Sequence, residues 1–312
     1  HIYFGLSVSL LMASDYVPLF FLPVFFIYAV YKKRSVKWWK HFIISFIPLM
    51  IFGLFWMPIF LIQIKNYQRV LQNLPLWRGV VGGVSMRQIT IFWMKLILGR
   101  ISFNKYLYYP LILITSVIYL VLLIKSFNRK NLFFVLWFFV PLILGISSSF
   151  IFPAFNYFRF LYVVPGFIVL LVRGSKNSKY GNLLLFMIMI INILGLSIYY
   201  FDKDQHREDW RSAVREVEAR ASVESSAIVF NYYLIPAGFR WYDEGYKSVY
   251  ALSDESKLQN ILSNYDSLYY FDYLEDIYDP DNLLKKKIVE DGFKEIEIFD
   301  YRGIGQIRYY IR

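Results

Sequence analysis

Apolar residues run in long blocks through the first two thirds of the chain and in short ones through the last third. The long blocks fall at 2–13, 16–31, 42–62, 107–124, 132–150, 159–173 and 183–201. As α-helices, most of them are long enough to cross, or nearly cross, a hydrocarbon core of about 30 Å. They predict a multi-pass α-helical membrane domain of about six to seven spans over residues 1–201. The first two blocks share Ser14-Asp15-Tyr16-Val17-Pro18. They are read either as two short helices or as one helix kinked at Pro18, where a backbone donor is missing.

Between 63 and 106 a longer loop is expected. Within it Ile89, Phe92, Trp93, Leu96 and Ile97 repeat at helical spacing, with Arg87, Thr90 and Lys95 on the other side. The pattern predicts a helix over Met86–Arg100 lying on the membrane surface. The preceding Gly79-Val-Val-Gly82-Gly83 lacks the Lys-Ser/Thr of a phosphate-binding loop.

Beyond residue 202 the periods shorten. Asp209 is placed to cap a helix over the following residues. Ser226–Asn231 and Ser267–Phe271 read as strands, and 254–264 and 280–291 as helices. Segments 294–300 and 304–311 read as paired strands around Arg302-Gly303. This alternation predicts a small α/β soluble domain over 202–312 with a largely parallel sheet. No glycine fingerprint for a dinucleotide follows its first strand.

Charge sharpens this division. Residues 1–201 hold one acid, Asp15, against nineteen Lys and Arg, while the other twenty-two Asp and Glu lie in 202–312. Lipid explains so one-sided a distribution, because carboxylates are costly there while long cationic side chains reach the headgroups. The net +11 therefore marks topology, and no nucleic-acid partner is expected. The basic clusters Lys32-Lys33-Arg34 with Lys37 and Lys40, Lys125 with Arg129 and Lys130, and Arg173 with Lys176 and Lys179 fall on one side when the spans alternate. The positive-inside rule makes that side cytoplasmic. Loops 63–106 and 151–158 and the 202–312 domain are then extracytoplasmic, in a multi-pass plasma-membrane protein. Without cysteine, thiol chemistry is excluded, and His1, His41 and His206 lack zinc-ligand spacing. Because the chain opens with His1 directly into an apolar run, it is read as the carboxyl-terminal part of a longer protein.

Several short stretches resemble the GT-C class of membrane glycosyltransferases, in its protein mannosyltransferase-like and aminoarabinose transferase-like branch. They are His1-Ile-Tyr-Phe-Gly-Leu, Trp56-Met-Pro58 with Gln63, Arg159-Phe-Leu-Tyr-Val-Val-Pro165, Arg207-Glu-Asp-Trp-Arg211 and Tyr301-Arg-Gly-Ile-Gly-Gln-Ile. The resemblance implies transfer of a sugar from a polyprenyl-phosphate carrier to a lipid, glycan or protein acceptor on the non-cytoplasmic face. It also implies a catalytic Asp near the amino terminus of the family, upstream of His1.

Such a transfer needs a carboxylate base and cations for the departing phosphate. Asp15 is the weak candidate for the base, its other reading being a turn cap. Arg159, flanked by Tyr157 and Tyr162, is the first candidate for phosphate, as a bidentate ligand or as an interfacial anchor. Arg78 and Arg87 are further candidates, each readable as a lipid-facing anchor, and His1 matches a family position. Glu208-Asp209-Trp210 is read as a sugar contact or as the cap and packing of the first tail helix, and Lys285-Lys286-Lys287 as a solvated face. No metal-ligand set is seen, and a divalent metal is left open. The competing classes are a polytopic transporter or lipid flippase with an external domain, and an anchored binding module.

Overall fold

A computed structural model describes residues 2–77, 79, 82–102, 104–222, 224–232, 234–246, 248–252 and 255–312. The chain divides into two compact units, His1–Gln205 and His206–Arg312.

The first unit is helical. Helix α1 (Ile2–Ser14) is followed by a 3-10 turn (Val17–Phe21) that opens into α2 (Leu22–Tyr31). The 2–31 segment is thus two helices. The Asp15 carboxylate accepts the Val17 N–H (3.1 Å), and Pro18 sits in the first turn of the 3-10 segment, where its missing donor costs nothing. Helix α3 (Val36–Ile44) starts at Ser35, whose hydroxyl accepts the Trp38 N–H (3.3 Å), and α4 (Ile47–Asn73) follows after a break at Ser45-Phe46. The expected span 42–62 therefore starts earlier and ends later. The apolar run stops near 62, but nothing in Gln63–Asn73 breaks a helix, so the helix outlasts the hydrophobicity.

Helices α5 (Met86–Leu98), α6 (Lys105–Ser126), α7 (Leu132–Ser148), α8 (Val164–Lys176) and α9 (Gly181–Phe201) complete the unit, with a 3-10 turn (Tyr157–Val163) leading into α8. Among the described residues five helical stretches are long and apolar enough to cross a membrane: Val36–Asn73, Lys105–Ser126, Arg129–Ser148, Tyr157–Lys176 and Gly181–Phe201. Their outward faces carry large apolar side chains such as Leu54, Phe55, Leu113 and Phe201. Water-facing surfaces rarely expose contiguous patches of this kind.

The core of this unit gathers Phe92 and Ile97 of α5, Leu122 of α6, Phe138 of α7, and Phe160, Phe167 and Leu170. Helices α6 and α8 touch backbone to backbone: a Cβ on Gly174 would lie 1.8 Å from the Leu122 carbonyl oxygen. Helix α5 forms where its periodicity predicted. Trp93 donates its indole N–H to Ser116 (2.9 Å), and Ile97 and Leu98 are buried. Ser116 lies eleven residues into α6, about 16 Å along its axis at 1.5 Å per residue. Helix α5 therefore packs its apolar face against α6. Periodicity identified its apolar face correctly but not what covers that face.

The second unit is α/β. Its elements are α10 (Trp210–Arg220), β1 (Ser226–Phe230), α11 (Ala237–Tyr242), β2 (Val249–Ala251), α12 (Glu255–Asn264), β3 (Ser267–Phe271), α13 (Glu275–Tyr278), α14 (Leu283–Glu290), β4 (Lys294–Tyr301) and β5 (Gly305–Ile311). Sheet order is β2-β1-β3-β5-β4. Strands β2, β1 and β3 are parallel, whereas β5 runs antiparallel to both β3 and β4. The sheet is thus mixed, where a largely parallel one was expected. The tight turn at Gly303 (φ +74°) sends β5 back beside β4 and inserts it next to β3. Strands β1 and β3 are buried on both faces. Ala227, Val229 and Tyr270 pack in one core, and Ile228, Phe230 and Phe271 in the other, so both strands read as unbroken apolar runs.

Candidate functional site

The ends of the helical unit differ in kind. At one end the basic clusters come together: Asn177 donates to the Lys125 carbonyl (3.0 Å), and Tyr28, just before Lys32, meets Phe133, just after Lys130, with ring centroids 5.1 Å apart. Lys125 lies in the last turn of α6, and Arg173 and Lys176 in that of α8, where cations also suit the helix dipole.

Three separated segments meet at the turn 14–18. The Tyr16 hydroxyl donates to Gln63 (2.5 Å) and accepts from the Trp56 indole (2.8 Å). The Tyr162 hydroxyl donates to the Val17 carbonyl (3.1 Å). Trp56, Gln63 and Tyr162 are thereby joined through Tyr16 and Val17, which flank Asp15 and one another. Asp15 is half-buried; one carboxylate oxygen caps the turn, and the other has no hydrogen-bond partner among the described residues.

Arg159 stands in the 3-10 turn 157–163, half-buried, its backbone N–H bonded to Asn156 (3.0 Å). Among the described residues no carboxylate pairs with it. The seven ion pairs among the described residues all lie in the α/β unit. Arg87 is exposed in the first turn of α5. Arg78 and His1 lie outside the described residues.

Tyr157 lines a cavity of about 270 Å³ together with Phe92, Lys95, Leu96, Phe160 and Asn192. Two of these residues were given no role by the sequence. Lys95 was placed on the polar side of an amphipathic helix, yet its side chain is half-buried against the bundle. Burial, and then the nearby Arg100 charge, hold its ammonium below the ordinary lysine value. Asn192 donates to the Tyr119 hydroxyl (3.2 Å) and the Ile188 carbonyl (3.0 Å), which fixes its amide. The available signal was a lone polar residue inside an apolar span. A second cavity of about 380 Å³, lined by Gly83, Ser85, Gln88 and Ser149 among others, has no charged side chain among its described lining. No group of three His, Cys, Asp or Glu able to hold a metal occurs among the described residues.

In the α/β unit, Trp210 is buried. Its ring stacks near Phe271 (6.3 Å), its edge meets Tyr273 (4.9 Å), and its N–H donates to Glu208 (2.8 Å). Asp209 accepts the Ser212 N–H (3.3 Å) as the cap of α10. Glu208-Asp209-Trp210 is thus a packing and capping group, with no indole face open to a sugar. Lys285 departs from the solvated reading, because it pairs with Glu275 (2.5 Å) and approaches Asp272 (3.9 Å). Asp272 also accepts from Arg308 (2.8 Å). Burial pushes the Asp272 carboxyl upward while Arg308 and Lys285 pull it back. Beside it, at the carboxyl ends of β1 and β3, the buried Asn231 amide and Tyr270 hydroxyl have no hydrogen-bond partner among the described residues.

Comparisons of the chain with protein-family models, with curated proteins and with solved structures each return no match.

Proposed function

We propose that the protein is an integral membrane glycosyltransferase that moves a sugar from a polyprenyl-phosphate carrier to an acceptor on the non-cytoplasmic face. The observation that carries this reading is the meeting at Tyr16 and Val17 of Trp56, Gln63 and Tyr162. These residues belong to the separated segments that resemble the GT-C class, and the fold draws them to one turn. The clustering of basic loops at one end supports placing that end in the cytoplasm and the α/β unit outside.

In the proposed reaction an acceptor hydroxyl attacks the anomeric carbon and the bond from that carbon to the phosphate oxygen breaks. The electron pair leaves with the phosphate, and the hydroxyl proton passes to a base. Arg159 and Arg87, free of carboxylate partners among the described residues, are suited to the charge that grows on the phosphate. Asp15 is engaged as a turn cap, and the base is not assigned to it. The transporter reading has less support. Inside the spans Ser116 is committed to Trp93 and Asn192 to Tyr119, which leaves the buried Thr115 hydroxyl of α6 without a hydrogen-bond partner among the described residues. A solute path needs polar groups free at that depth.

The test is the full chain in lipid nanodiscs with a radiolabelled polyprenyl-phosphate sugar and a panel of acceptors. Consumption of the donor is expected, with Arg159→Ala lowering turnover by about tenfold or more, the scale of a lost charge-assisted contact. A donor left intact by the wild-type protein would overturn the reading.

A further inference from the structure

The Tyr157 cavity beside α5 sets a cation among apolar walls. Its walls come from α5, the turn 157–163, α8 and α9, and are mostly Phe92, Leu96, Phe160, Leu161 and Val164. Into this apolar lining the chain sets one cation, Lys95, with Tyr157 and Asn192 as the other polar groups. Asn192 lies nine residues before the end of α9, about 13 Å along the helix. An ionisable group at such depth is costly unless something answers its charge. Among the described residues no carboxylate pairs with it: Asp15 is the one acid of residues 1–201, Asp202 and Asp204 close the unit, none of the three lines the cavity, and Arg100 nearby adds charge of the same sign.

The hydrogen-bonding inventory points the same way. Lys95 offers three donors and Tyr157 one, while the Asn192 N–H groups are already used. The site is donor-rich, cationic and greasy. A volume of about 270 Å³ falls just below the ~300–1,000 Å³ of drug-sized ligand sites, so it suits a headgroup and its first carbons. Beyond it, Leu161 on the turn and Ile193, Leu194 and Leu196 on α9 are exposed.

We propose that this cavity holds the phosphate of an amphiphilic lipid, with Lys95 as its counter-charge and Tyr157 as a second donor, and with the hydrocarbon chain leaving over α9. Only the identification of that chain as a prenyl chain rests on the transferase reading. The phosphate site stands on the cavity, the cation and the missing carboxylate.

The experiment uses the full chain in phosphatidylcholine nanodiscs, with binding followed by native mass spectrometry and by ligand-induced thermal shift. The probes are farnesyl phosphate, phosphatidylglycerol, farnesol and inorganic phosphate. A lipid phosphate is expected to bind the wild-type protein, Lys95→Met to weaken it by about tenfold or more, and Lys95→Arg to retain most of it. Because Lys95→Met also removes an uncompensated charge, its thermal midpoint without lipid should hold or rise, which separates lost binding from lost folding. Preference for farnesyl phosphate over phosphatidylglycerol would support both the site and the transferase reading. Preference for phosphatidylglycerol would support the site and count against a prenyl carrier there. Equal binding by wild type and Lys95→Met, farnesol binding as tightly as farnesyl phosphate, or retention of inorganic phosphate alone would each overturn the proposal.

Discussion

The two units treat charge in opposite ways. In the α/β unit, Asp272, Glu275, Lys285, Glu295 and Arg308 are tied to one another by ion pairs, and buried Asp279 is held by the backbone N–H groups of Leu283 and Leu284. In the helical unit the cations have no such partners among the described residues, and they collect at one end or stand singly, as Lys95 and Arg159 do. The α/β unit answers these charges within its own fold. The helical unit leaves its cations to whatever surrounds it, and at the proposed site one of them, Lys95, meets the phosphate of a lipid.

The sharpest way to break this contrast is Arg308→Met. It takes the nearer partner from half-buried Asp272, leaving Lys285 at 3.9 Å, and frees exposed Glu295, so the cost is about 3 kcal/mol, the low end for a broken buried pair. Hydrogen exchange over β3 and β5 in the full chain should accelerate accordingly. The same change at exposed Arg87 should leave exchange across α5 and α6 unaltered, because no paired charge is stranded.

A smaller effect of opposite sign is expected at Asn231. Its amide is buried beside β3 with neither donor nor acceptor satisfied, a burden of about 1–3 kcal/mol. Asn231→Leu keeps the volume and removes the burden, so the α/β unit should resist urea better. An unchanged or lowered midpoint would show that the amide has a partner in solution.

The smallest effect is a pH slope. The Glu218 carboxyl is pushed up to about 7 by burial first, and then by Asp243, with which it shares a proton. The folded state thus binds that proton more tightly than the unfolded chain does. The resulting stabilisation is complete below about 4.5 and is lost as pH rises through about 7. Glu218→Gln should flatten exchange protection of α10 between those values, and an unchanged slope would assign it to other groups.

The sequence announced where apolar segments lie, because lipid-length runs and lost carboxylates are one-dimensional signals. It also announced the capping role of Asp209 and the strand pair around Gly303. Other features depend on what covers a face. Helix α5 had a legible apolar stripe, yet only the Trp93–Ser116 bond reveals that the stripe meets α6. Lys95 was grouped with Arg87 and Thr90 on the polar side of that stripe, while its neighbours in space are Phe92, Phe160 and Asn192. Strand β2 is three partly exposed residues, too short for alternation to register, and the place of β5 beside β3 is a matter of topology that local pattern does not encode. Of the candidate residues, Tyr157 is brought to the cavity and Arg159 stands two positions further along the same turn.

The contact of Gly174 with the Leu122 carbonyl has a mechanical outcome. Two main chains pressed together have no side-chain cushion to deform, so α6 and α8 shift as a single body or not at all. Helix α5 is joined to the chain through Gly82 (φ +128°), wedged against the Phe155 carbonyl, and Gly99 (φ +71°), conformations that residues with a Cβ seldom adopt. Helix α8 reaches the Lys95 cavity at Val164, so one wall of that cavity moves only with α6.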